Sequence, residues 1–109
     1  MPDLAAAAKP RLQAALTELE ARLTNIARDL DQPADPDWEE QAVEIADDEA
    51  LEHQAVLVEQ EIASVQRALG RIREGTYGTC VRCGDAIAPE RLEARPEAAL
   101  CINCARAGA

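Results

Sequence analysis

A chain of 109 residues with no Phe, one Trp and one Tyr has too little aromatic bulk for a thick core, although 48% of it is apolar. Those apolar residues are chiefly Ala, Leu, Ile and Val, a set suited to thin packing of helix on helix. The net charge of −10 argues against a surface that holds nucleic acid phosphates, and no apolar run approaches the ~20 residues of a membrane span. The charge is local. Between Asp29 and Glu52 lie eleven acids and no Lys or Arg, so a basic protein surface or a metal-bearing cavity is the expected kind of partner.

The first predicted element is a helix. Leu12, Leu16, Leu19, Leu23, Ile26 and Leu30 recur at alternating steps of four and three, the 3.5-residue repeat of helices that supercoil. Two starts are open: Asp3 caps an Ala-rich first stretch, or Pro10 begins or kinks the main helix. Pro33 and Pro36 then bias their predecessors away from the helical region and end it. A second series at Leu51, Ala55, Val58, Ile62, Val65, Leu69 and Ile72 predicts a return arm, ~40 Å long for about 25 residues at ~1.5 Å each. Asp37 or a neighbour is placed to cap that arm. One step back from Leu51 the repeat meets Asp47 or Asp48, so apolar contact should weaken toward the bend. Gly75 and Gly78 should close the arm. The predicted fold is all-α: an antiparallel two-helix coiled-coil hairpin over 1–74, with its bend at about 31–38, followed by a small four-cysteine lobe over 75–109.

The lobe carries the sharpest signal. Cys80, Cys83, Cys101 and Cys104 stand as C-x2-C, seventeen residues, C-x2-C, and they are all the cysteines in the chain. Two residues between paired cysteines let one tight knuckle aim both sulfurs at one ion, and Gly84 offers the left-handed backbone such a knuckle needs. One Zn²⁺ held by four thiolates has no open coordination position, so its role should be structural, not hydrolytic. Arg82 flanks the first pair, and its charge would favour the thiolate form. With one His and one Ser besides a closed metal site, the chain lacks the makings of an enzyme. His53 is expected on solvated surface.

The run Gly75-Thr76-Tyr77-Gly78-Thr79-Cys80-Val81-Arg82-Cys83-Gly84, with Arg91-Leu92-Glu93-Ala94-Arg95-Pro96 and Cys101-Ile102-Asn103-Cys104, resembles the DksA/TraR-type zinc finger, and the hairpin upstream agrees with it. The resemblance implies a cytoplasmic bacterial transcription regulator that binds RNA polymerase without binding nucleic acid or membrane. Such proteins send the coiled-coil tip into the enzyme's secondary channel, while the finger at the coil's base helps contact the rim. Arg91 and Arg95 are the implied contacts of the lobe. The family's tip has an acid, two residues, an acid, one residue and alanine; an ungapped count from Cys80 puts this on Asp37, Glu40 and Ala42, with Trp38 beside them. Glu40 replaces the family's second Asp. Of the positions that match basic contacts to guanosine tetraphosphate in some members, Leu57, Ser64 and Ala105 have lost the charge and only Arg95 keeps it. The expected protein is monomeric when free. The rival expectation is a zinc-linked thiol sensor or adaptor that binds another protein through the coiled coil.

Overall fold

In the computed structural model, residues 3–30 and 38–108 are described, with side chains from position 47 onward in the second stretch. Four helices follow one another: α1 (Leu4–Leu30), α2 (Trp38–Glu74), α3 (Pro89–Ala94) and α4 (Ile102–Ala107). The described residues contain no strand, only an isolated antiparallel bridge between Thr79 and Ala86. The long helices form the antiparallel hairpin, and the heptad residues explain why. Every one of the thirteen predicted seam positions from Leu12 to Leu30 and from Leu51 to Ile72 is buried or half-buried. Full burial of a Leu, Ile or Val side chain supplies about 1.5–3 kcal/mol before chain entropy is subtracted, and the half-buried seam positions contribute correspondingly less.

The start of α1 is settled by Asp3. Its Oδ1 accepts from the Ala5 N–H at 3.0 Å and its carbonyl from the Ala7 N–H at 3.1 Å, which satisfies donors that have no partner inside the helix. Pro10 neither begins nor ends the element; it lies within one helix. Ala8 is buried and Ala5 half-buried, so the seam runs back from Leu12 by steps of four and three into the Ala-rich turns.

Two compact units are present. One joins Met1–Leu16 to Ala63–Ala109, and the other is Thr17–Ile62. The first has Ala8, Leu12, Val65 and Ala68 buried at its helical seam, with Leu12 and Ala68 at 0% exposure. Alanines at such positions keep a seam thin where aromatic bulk is missing. In the second unit Leu19, Ile26 and Val58 are buried, and Asp48, half-buried, takes the seam position three residues before Leu51 while Asp47 is exposed. Arg22 pairs with Glu18 on its own helix at 3.2 Å. Both partners are exposed, so this pair contributes only about 0.3–0.5 kcal/mol. His53 is exposed. No helix among the described residues is long and apolar enough to cross a membrane.

α2 ends on a glycine. Gly75 takes φ +79°, its N–H reaches the Ile72 carbonyl at 3.3 Å and the Thr76 N–H reaches the Arg71 carbonyl at 2.9 Å. This paired closure satisfies the last carbonyls of a helix and needs a residue that tolerates positive φ.

Candidate metal centre

The first cysteine pair sits on a knuckle held by backbone bonds. The Cys80 N–H donates to the Asp85 carbonyl at 2.8 Å, the Gly84 N–H to the Cys80 carbonyl at 3.0 Å, and the Ile87 N–H to the Gly78 carbonyl at 2.8 Å. Gly84, at φ +81°, turns the chain as its place after the pair predicted. The Asp85 N–H points at Cys83 Sγ at 3.5 Å. Cys101 opens the second knuckle as the N-cap of α4, where its Sγ accepts from the Cys104 N–H at 3.5 Å. The first knuckle is tied to the approach to the second by the Val81 N–H, which donates to the Ala99 carbonyl at 2.9 Å, and α3 is tied to it by Arg91 Nε, which donates to the Leu100 carbonyl at 2.9 Å. Beneath them Cys80, Ile87, Leu92 and Cys101 form a buried cluster, with Tyr77, Ala98, Leu100 and Cys104 against it.

This scaffold brings all four sulfurs within 4.8 Å of one another. The Cys83 and Cys101 Sγ atoms are 3.7 Å apart, close to the ~3.8 Å edge of a tetrahedron whose centre lies ~2.3 Å from each sulfur. A disulfide would need ~2.05 Å, and all four cysteines are free. The donor set fits one zinc ion, with Cys80, Cys83, Cys101 and Cys104 as its ligands.

The proton affinities of the four thiols make the same point. Backbone N–H groups of Cys101 and then Cys83 hold the Cys80 thiol down to about 6. Cys104 is pushed up to about 12, first by hydrogen bonding with the Cys101 thiol and then with Cys83. At Cys83 the Asp85 N–H lowers the value, but the Cys80 thiol and burial outweigh it and raise it. Four thiolates cannot crowd one point without a cation among them. Arg82 acts on Cys80 through its backbone, as one of the smaller lowering influences. Its guanidinium lies toward Gly108, 3.3 Å from where a Cβ on that glycine would be.

Of the other predicted site residues, Arg91 is half-buried and spends its Nε on the Leu100 carbonyl. Arg95 is exposed and pairs with Glu97 at 3.1 Å. Trp38, Glu40 and Ala42 lie in the first turns of α2, before its described side chains, and Asp37 falls outside the described residues. Missing from the sequence reading were Arg11, whose Nη1 donates to the Glu93 carbonyl at 2.8 Å, and the Tyr77 hydroxyl, which donates to the Pro96 carbonyl at 2.9 Å. No motif announces either bond.

Residues 9–72 match the model of the DnaK suppressor protein-like N-terminal domain, and residues 75–107 match the prokaryotic dksA/traR C4-type zinc finger. The chain belongs to the DksA/TraR family. DksA2 of Pseudomonas aeruginosa superposes with a TM-score of 0.85 at 25% identity, covering 99% of this chain and 90% of that one. The DnaK suppressor protein of Agrobacterium tumefaciens gives a TM-score of 0.65 at 38% identity, with 93% and 90% covered. The RNA polymerase-binding transcription factor DksA of Escherichia coli is 42% identical over 43 residues, 39% of this chain and 28% of that protein. Matches to the first curated relatives span 48% and 28% of their lengths. The DksA/TraR zinc finger thus accounts for the geometry of the four cysteines.

Proposed function

We propose that this DksA/TraR family member is a cytoplasmic, non-enzymatic regulator of bacterial transcription that binds RNA polymerase directly. The observation that carries the reading is the continuous family match, hairpin and then four-cysteine finger, over 9–72 and 75–107. In this reading positions 1–74 form the probing arm and 75–109 the anchoring lobe. The arm inserts its acidic tip, Asp37, Trp38, Glu40 and Ala42, into the secondary channel. The lobe rests on the rim with Arg91 and Arg95 toward the enzyme. Two carboxylates there act by charge, perturbing the surroundings of the catalytic Mg²⁺ or the mobile elements that position substrate. No DNA contact is required, in keeping with the net charge of −10.

Zinc contributes fixed geometry, not chemistry, since four thiolates fill its coordination shell. The test is retention of the purified, zinc-loaded, monomeric chain by immobilised core RNA polymerase, followed by reconstituted transcription. Retention with altered transcript yield is expected. Failure to bind, together with peroxide-triggered zinc loss and exchange onto a different protein, would replace this reading with a thiol sensor.

A further inference from the structure

Three side chains from the helical base and its exit turn converge on one short stretch between the cysteine pairs. Arg11 of α1 donates to the Glu93 carbonyl at 2.8 Å. Arg71 of α2 donates to the Glu97 carbonyl at 3.4 Å, and Tyr77, just past α2, donates to the Pro96 carbonyl at 2.9 Å. The acceptors belong to the end of α3 and the turn after it, where the Arg95 N–H reaches the Arg91 carbonyl at 2.8 Å and the Ala98 N–H reaches the Arg95 carbonyl at 3.0 Å. The Glu93 carbonyl is among the last four of a six-residue helix, which have no partner inside the helix. Beside Arg11, Leu12 is fully buried, within the same compact unit as the lobe.

We infer that metal loading of the lobe and docking of the first turns of α1 are linked, with Arg11 as the positioning residue that carries the α1 share. Seventeen residues separate Cys83 from Cys101, and a metal bound to both pairs closes that loop and limits the conformations open to it. Positions 93–97 are then held where the three donors find them. Without metal the loop gains freedom, the Glu93 carbonyl leaves its place, and Arg11 loses the bond that fixes its turn. Linkage is reciprocal: whatever factor metal adds to the docking of α1, the docking adds to metal affinity. The inference rests on the metal site and not on the proposed partner.

The experiment is hydrogen–deuterium exchange on the full, reduced chain, zinc-loaded and after removal of zinc by a chelator, for wild type and Arg11→Met. In the wild type, chelation should accelerate exchange at amides 5–16. In Arg11→Met the loaded protein should already exchange faster there, and chelation should add less. It should still bind one zinc at saturation, with affinity reduced about three- to tenfold, the range of one typical net hydrogen bond. Amides 19–30 report whether the variant is folded, and Arg11→Lys, which keeps charge and a donor, should restore part of the chelator response. Wild-type exchange at 5–16 that ignores chelation would overturn the linkage, and that arm needs no substitution. A folded Arg11→Met variant with the wild-type chelator response would remove Arg11 from it.

Discussion

At Cys104 the thiol is pushed up to about 12 by hydrogen bonding with its neighbours, and Cys83 is also raised. Both therefore hold their protons at neutral pH, and zinc must displace them. Raising the pH removes those competitors, so the apparent zinc affinity of the reduced chain should climb by about tenfold per pH unit for each proton displaced. Acidification acts the other way and gains a further competitor as pH falls through about 6, where Cys80 protonates. Competition against a chromophoric chelator between roughly pH 6.5 and 8 measures the slope. A flat profile would mean that the thiolates are already formed without metal.

Among the elements, the junction between α2 and the lobe depends on one backbone conformation. Gly75 has φ +79°, and beyond its own chain neighbours no atom lies within 4 Å of where its Cβ would be, so substitution there adds strain without a clash. Gly75→Ala should lower stability by about 1 kcal/mol, the usual cost of a left-handed conformation for a residue with a Cβ. Thermal unfolding of the zinc-loaded chain should show the midpoint shifted down, while zinc stoichiometry stays at one per chain. An unchanged midpoint would mean that the helix end relaxes to another closure. Positive φ was legible at Gly75 and Gly84 because a glycine ends a heptad series at one and follows a C-x2-C pair at the other.

For the whole molecule, the proposed function puts recognition and effect in different places. Asp37→Asn together with Glu40→Gln removes two charges from the tip and nearly preserves shape. The double variant should still compete with wild type for polymerase yet lose most of its effect on transcription. A weaker helix cap and dipole interaction costs on the order of 1 kcal/mol, too little to unfold the hairpin, and circular dichroism checks that. A folded variant with full transcriptional effect would reduce these acids to a helix start. The same reading expects an effect that is largely independent of guanosine tetraphosphate at the joint site, since Leu57 is 46% exposed and uncharged where a cation would be needed.

By itself the sequence determined the two long helices and the ligand set, because both are periodic or spaced patterns along the chain. An aliphatic residue every three or four positions can bury only one face of a helix, and paired thiols two residues apart can converge on one ion. Tertiary structure decided what such patterns do not encode. Pro10 stays inside α1 because Asp3 caps the turns before it and Ala8 has a seam to occupy. Asp48 lies half-buried on the seam, where alternation alone left Asp47 and Asp48 equivalent. Arg11 meets Glu93 across 82 positions, Tyr77 meets Pro96, and Arg91 meets Leu100. In each of these bonds the acceptor is a backbone carbonyl. Every residue carries one, so its partner is chosen by where the folded chain brings a donor and not by which side chain stands at that position.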